Sequence, residues 1–371
     1  MRPSLGKRNF LFQCFAYPLS LLYGLAVGIR NFLFDWNILK QKGFGFPVLS
    51  VGNLTLGGTG KTPMVEYLVS LLKDQYKTGV LSRGYGRSGS GFLMASPDTG
   101  PLALGDELWQ IYSKFPGIFV AASPDRVNGM RLLDRNAGGL DVALLDDAYQ
   151  HRYILRDLDI LLVDYHRPII GDHLLPLGFL REPASQRYRA NILVVTKCPE
   201  NLSPLEQRLI EKSLAIKPYQ MLWFTTLSYG NPLPVFPEAG EEPVESCEDP
   251  EKVLIFSGIA QPGPFESYLQ GLYPNAFVLR FPDHYTYRNR DIGEIEQKFP
   301  QVDRILITEK DAVKIKEMRA VVSHPGRWFY LPVRVAFFHE EDQDRFDQKI
   351  LSYVQKNQRN NLLHQKGGGK L

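Results

Sequence analysis

The sequence predicts an α/β protein, and three observations carry that prediction. An apolar run, Val48 to Val51, enters a glycine-rich turn ending in Gly60-Lys61-Thr62; Val65, Leu68, Val69 and Leu72 then follow, spaced for one face of a helix. Further apolar runs of strand length recur at Thr78–Ser82, Ile118–Ala122, Asp141–Asp147, Leu158–Asp164 and Asn191–Thr196, several of them separated by helical patterns. A second strand-and-helix series begins at Val253. Such alternation implies a mostly parallel sheet in a core of the phosphate-loop (P-loop) NTPase type, plus a smaller C-terminal α/β domain. At 371 residues the chain has room for both cores.

The first strand and helix frame the chemistry. Across Thr55-Leu56-Gly57-Gly58-Thr59-Gly60-Lys61-Thr62, backbone N–H groups freed by the glycines and the helix start point at phosphate oxygens. Lys61 adds positive charge, and Thr62 is placed to offer its hydroxyl to a magnesium ion. The usual pattern has glycine where this chain has Thr55, and Gly57 and Gly58 supply flexibility instead. Nucleotide binding is the expectation; the alternative is a glycine-rich turn that binds nothing.

Composition narrows the classes. The net charge of +3 shows no global basicity that would argue for nucleic acid. Cys14, Cys198 and Cys247 are scattered without metal-ligand spacing, which predicts free thiols in a reducing compartment. Phe10 to Ile29 carries no formal charge, with Arg2, Lys7 and Arg8 before it. A signal peptide would export a protein whose phosphate loop needs cytoplasmic ATP. A spanning helix is allowed by length but diluted by Gln13, Pro18, Ser20 and two glycines. The preferred reading for residues 1–36 is a helix lying at a membrane interface, flanked by Arg8 and Arg30 with aromatic residues interleaved; a helix buried in the protein core is the alternative.

Downstream of the loop, Arg83-Gly84-Tyr85-Gly86-Arg87 follows a strand and suits anionic groups, in the crevice where open α/β sheets bind ligands; a solvated loop is the other reading. Gly105-Asp106-Glu107 opens a helix, where acidic residues ordinarily cap. Asp146 and Asp147 end a strand, and in a phosphate-loop enzyme the strand-end aspartate commonly holds magnesium. Adjacent side chains of a strand point to opposite faces, so one of the pair is expected to face the ion. His151 and Arg152 bring basic groups to the same edge. The segment His173–Pro183 carries an apolar cluster beside Arg181 and Glu182, suited to core packing or to a greasy substrate. Leu222–Phe236 suggests a hairpin around Tyr-Gly-Asn-Pro, and Pro237–Pro250 an acidic linker. The expected division is a core over 37–220, ribbon and linker over 221–250, a second domain over 251–360 and a disordered tail over 361–371.

These stretches together resemble the tetraacyldisaccharide 4′-kinase family, the lipid A 4′-kinases of Gram-negative bacteria. The matching segments are VGNLTLGGTGKTP (51–63), SRGYGR (82–87), GDE (105–107), DDAYQHR (146–152), LLPLGFLREP (174–183), VVTK (194–197), FPDHY (281–285) and TEKDAVK (308–314), in the family's order. The shifted glycine pattern is itself a trait of the family. The resemblance implies transfer of the γ-phosphate of ATP, with Mg2+, to the 4′-hydroxyl of an acylated disaccharide 1-phosphate, forming lipid IVA. It implies a peripheral position at the cytoplasmic face of the inner membrane, and two domains joined by a β-ribbon. It also implies a catalytic pair at Asp106 and His284. Lys61 would neutralise phosphate charge, Thr62 and Asp146 or Asp147 would place the ion, and Glu182 would join the metal shell. Arg83, His151 and Arg181 would contact the substrate or its phosphates. One departure is Ala148, where the family commonly has glycine after the aspartate pair.

A different class of protein, a nucleotide-dependent switch or partner-loading GTPase, would use the same loop and aspartate. Val195-Thr196-Lys197-Cys198 begins like a base-reading element, but Pro199-Glu200 does not complete it. A soluble small-molecule kinase is the third reading.

Overall fold

Strands buried on both faces form the centre of the molecule, which is described from a computed structural model over residues 10–237, 252–283 and 285–367. Eight strands come first: Val48–Asn53 (β1), Thr78–Ser82 (β2), Leu93–Met94 (β3), Phe119–Ala122 (β4), Val142–Asp146 (β5), Leu158–Asp164 (β6), Ile192–Thr196 (β7) and Met221–Tyr229 (β8). Leu233–Pro234 (β9), Val253–Ser257 (β10), Phe277–Arg280 (β11), Arg304–Thr308 (β12) and Trp328–Leu331 (β13) form a second sheet, and Val333–Phe337 (β14) returns to the first. The larger sheet runs β14-β8-β7-β6-β1-β5-β2-β4-β3 and the smaller β11-β10-β12-β13-β9. Pairs from β4 through β8 are parallel, while β3 and β14 add antiparallel edges. β1, β2, β5, β6 and β7 are buried throughout, as central strands covered by helices on both sides must be.

The expected hairpin over Leu222–Phe236 does not form. β8 pairs with β7 and with β14, whereas β9 joins the smaller sheet beside β13. The ribbon joining the domains is therefore β8 with β14, in register from Val333 opposite Tyr229 to Phe337 opposite Thr225. β13 and β14 are separated by Pro332, which has no N–H to continue a ladder. The final helix, Glu340–Gly367, packs Phe346, Ile350 and Val354 into the core of the larger sheet. β14 and this helix, which fall within the expected 251–360 domain, thus pack with the larger sheet. Nearly all of the 237–250 linker, Cys247 and residues 368–371 of the tail lie outside the described residues; Cys14 and Cys198 are free thiols.

The N-terminal helix, Phe10–Asp35, turns a narrow face to the protein. Ala16, Ser20, Val27, Asn31 and Phe34 are buried, and Ser20 Oγ and Tyr23 Oη donate to the carbonyls of Leu174 (2.9 Å) and Arg181 (2.8 Å). Phe15, Leu22 and Leu25 are each more than 60% exposed, with Leu19, Leu21, Ile29 and Phe32 also outward, so the buried-core reading of this helix does not hold. Among the described residues no helix is long and apolar enough to cross a membrane.

The two domains meet where helix Asp106–Lys114 packs on helix Glu309–Lys316. Lys114 Nζ bridges Glu66 (2.6 Å) and Glu309 (2.7 Å), and Gln110 donates to Glu66 at 2.7 Å. Two carboxylates share one ammonium. Burial, then the charge of Glu309, pushes the Glu66 carboxyl up to about 7. Its folded pKa exceeds its unfolded one, so its contribution to stability is full below about 4.5 and is lost as pH rises through about 7. Calorimetry across this window should show Tm falling as pH rises. Glu66→Gln should flatten that slope by a few degrees; an unchanged slope would show that Glu66 does not titrate there.

Candidate active site at the phosphate loop

The loop between β1 and helix Lys61–Leu72 is braced from several sides. Asn53 Nδ2 donates to Thr59 Oγ1, and Thr196 Oγ1 donates to the Thr59 carbonyl, both at 2.9 Å. Gly57 and Gly60 adopt φ of 101° and 82°, which side chains with a Cβ rarely tolerate. No side chain caps the helix at Gly60, which leaves its first N–H groups for an anion. Thr55 is buried and bridges Leu180, and Leu56 N–H donates to Phe179 O at 2.8 Å. The His173–Pro183 segment thereby holds the outer half of the loop, and Thr55 needs no positive φ. This is the physical reason the missing glycine is tolerated.

β5 delivers the aspartates. Asp146, the last strand residue, is 1% exposed, and neither of its carboxylate oxygens has a hydrogen-bond partner. Burial, then the charges of Glu107 and Asp147, pushes its carboxyl up to about 7. Asp147 lies just past the strand with φ of 46°, so the pair departs from strict alternation. Its carboxylate accepts from Arg181 Nη1 at 3.1 Å and lies 3.7 Å from Lys61 Nζ, while its carbonyl accepts from Arg126 Nη2 at 2.9 Å. Burial opposes ionisation there, but Lys61 and Arg181 hold the carboxyl below the usual range. The left-handed residue is Asp147 rather than Ala148, so the alanine sits without strain.

A buried carboxylate without a partner is costly. A divalent cation offsets that cost, and magnesium takes only one or two protein carboxylates when phosphates and water complete its shell. Asp146, with Thr62 in the first helical turn, fits such an ion. Among the described residues no cluster of three or more His, Cys, Asp or Glu could hold a metal unaided.

Asp106 is not a helix cap. Gly105 occupies that position without a side-chain bond, and Asp106 pairs with Lys314 Nζ at 2.9 Å. Glu107 accepts from Lys310 Nζ at 3.4 Å. The same two lysines reach the flanks of His284: Lys310 lies 3.9 Å from Asp283, and Lys314 donates to the Tyr285 carbonyl at 3.1 Å. His284 itself lies outside the described residues. Sequence reasoning gave no role to Lys310 and Lys314, although their spacing of four on a helix puts them on one face.

The remaining expected residues divide. Arg181 joins Asp147, and Arg126, which sequence reasoning missed, joins it from a helix start. Arg83 is exposed on the loop after β2. His151 has a buried Nε2 without a hydrogen-bond partner; burial, then Arg126 and Arg156, lowers its pKa to about 4, so the ring is neutral at pH 7. Glu182 is a correction to the expected metal shell. It is fully buried, and its carboxylate is held by Arg30, Asn31 and Arg189, which leaves no oxygen for the ion.

The chain matches the family model described as Tetraacyldisaccharide-1-P 4'-kinase over residues 12–355. A tetraacyldisaccharide 4'-kinase of Phocaeicola vulgatus is 43% identical over 351 residues, covering 93% of this chain and 96% of that protein. One from Flavobacterium johnsoniae is 42% identical over 343 residues, covering 92% and 97%. The crystal structure of LpxK from Aquifex aeolicus in complex with ATP superposes with a TM-score of 0.72 at 31% identity, covering 91% of this chain and 98% of that one.

Asp146→Asn removes the buried charge. Without nucleotide at pH 8, the variant should melt a few degrees above wild type, and the further Tm rise produced by adding magnesium with ATP should shrink markedly. Thermal melts with and without MgATP check both; a full MgATP shift in the variant would remove Asp146 from the metal site.

Proposed function

This chain belongs to the tetraacyldisaccharide-1-P 4'-kinase family, and we propose that it transfers the γ-phosphate of ATP to the 4′-hydroxyl of a tetraacylated disaccharide 1-phosphate, forming lipid IVA. The observation that carries this reading is the buried, unpartnered Asp146 at the end of β5, in the electrostatic field of Lys61 beside the braced loop. Phosphoryl transfer depends mainly on positioning and on electrostatic stabilisation of the phosphoryl oxygens. The loop N–H groups and Lys61 hold the phosphates. Thr62 and Asp146 would hold the ion, which would supply positive charge against the phosphates. Arg126 and Arg181 keep Asp147 ionised and in place, and Arg181, Arg83 and neutral His151 face the acceptor or its phosphate.

Deprotonation of the acceptor falls to Asp106 and His284. A sugar hydroxyl is a poor nucleophile at neutral pH until a positioned base takes its proton as the bond to phosphorus develops. Lys310 and Lys314 support this assignment, because both the GDE segment and the residues flanking His284 are tied to them. Since these lysines lie on the smaller domain, its seating completes the site.

The exposed apolar face of helix Phe10–Asp35 supports a peripheral position on the cytoplasmic face of the inner membrane. Phe15, Leu22, Leu25 and Trp36 would enter the acyl boundary while Arg30 remains with the protein through Glu182.

Two experiments test the reading. Labelled ATP, magnesium and the acylated disaccharide 1-phosphate in detergent should yield 4′-phosphorylated product; its absence would sink the kinase assignment. In the same assay Asp106→Ala and His284→Ala are each expected to lower turnover by about a hundredfold or more with ATP affinity near wild type, and near-normal turnover in both would refute the pair. For the membrane, Leu22→Glu with Leu25→Glu should release the protein from anionic vesicles in sedimentation. Unchanged recovery with the vesicles would remove the interfacial role of the helix.

A further inference from the structure

Lys197, the residue after β7, takes part in none of the steps above, yet its ammonium is one of the least exposed charges near the loop. The backbone there is left-handed, with φ of 57°, and the side chain is 10% exposed. Nζ donates to the carbonyl of Gly58 in the phosphate loop, to Asp164 Oδ2 at 3.0 Å, and to Gln261 Oε1 of the smaller domain. An ammonium has three donors, and all three are engaged, each by a different part of the molecule.

Both ends of this link are anchored. On the core side, Thr196 holds the carbonyl of Thr59 while Lys197 holds that of Gly58. Two consecutive loop peptides therefore have their carbonyls bound, which leaves their N–H groups for the opposite side, where a phosphate must lie. On the far side, Gln261 sits in the loop after β10, and Asp311 fixes the root of that loop. Asp311 accepts from Gly258 N–H (2.9 Å), Thr308 Oγ1 (2.6 Å) and Tyr287 Oη (2.8 Å). A Cβ at Gly258 would lie 2.4 Å from the Tyr287 hydroxyl, so the root is tightly packed.

Burying this ammonium is expensive, first through lost hydration and then through repulsion by Arg167 and Lys61, with Asp164 alone carrying an opposing charge. An apolar side chain would pack the same space at lower cost. We propose that Lys197 is a positioning residue that couples ordering of the phosphate loop by nucleotide to seating of the smaller domain, with Gln261 as its contact on that domain. The proposal rests on the loop being the nucleotide site. It assigns to one side chain the link between two events that phosphoryl transfer needs together: phosphates gripped by the loop, and the residues around His284 brought to Asp106.

Hydrogen–deuterium exchange on the full-length protein, with and without MgATP, tests it. In wild type, MgATP should slow exchange by about tenfold or more both at residues 54–60 and at residues 258–263. Gln261→Leu should keep the slowing at 54–60, lose it at 258–263, and turn over about tenfold more slowly. Gln261→Glu still accepts from the ammonium and should recover both properties. Protection at 258–263 that persists in Gln261→Leu, or that is missing from wild type, overturns the coupling. Absence of protection at 54–60 in wild type overturns the nucleotide reading of the loop, and the coupling with it.

Discussion

Two adjacent carboxylates cannot share one buried environment and both stay charged, and this constraint organises the site. The chain separates them by turning at Asp147 into left-handed backbone. Asp147 then meets Lys61 and Arg181, while Asp146 stays at the strand end with no lysine or arginine paired to it. The first is kept ionised by the protein; the second has neither lysine nor arginine within hydrogen-bond reach. Arg126, Arg181 and Lys61 thus serve twice, neutralising Asp147 and leaving the pit positive enough for phosphates.

The neighbouring elements follow from that division. The inner half of the loop is held at its carbonyls, Thr59 by Thr196 and Gly58 by Lys197, while the outer half is pinned by the Leu180 segment, where Phe179 O accepts from Leu56 N–H and Arg181 N–H donates to Leu54 O. The same segment continues to Arg181 and to Glu182, which clamps Arg30 and Asn31 of the N-terminal helix. One short stretch therefore carries the loop brace, the partner of Asp147 and the anchor of the apolar helix. A greasy acceptor bound along that helix would lie close to the phosphates without any further element.

Much of this was legible locally. The strands β1, β2 and β4 to β7 and the loop were read within a few residues, because burial on two faces and glycine spacing are written in adjacent positions, whereas the two-residue, half-buried β3 left no such signal. What was not legible depended on partners distant in sequence. The ribbon strand β8 pairs with Val333–Phe337, which no local turn signal could reveal. Asp106 was read as a helix cap because the motif around it looks like one, and its partner Lys314 lies on the other domain. Glu182 was assigned to the ion by the family resemblance, and only its burial against Arg30 and Arg189 shows why that carboxylate is already committed.

The return of the chain through β14 has a consequence for how the molecule can be divided. The smaller domain is an insertion: the chain leaves the larger sheet along β8 and re-enters it along the neighbouring β14. A fragment ending near residue 250 would lack the edge strand beside β8, and would leave bare the surface that Phe346, Ile350 and Val354 cover. Such an edge is a template for association between copies. The sheet that carries the phosphate loop is accordingly complete only once the chain beyond the smaller sheet has returned to it.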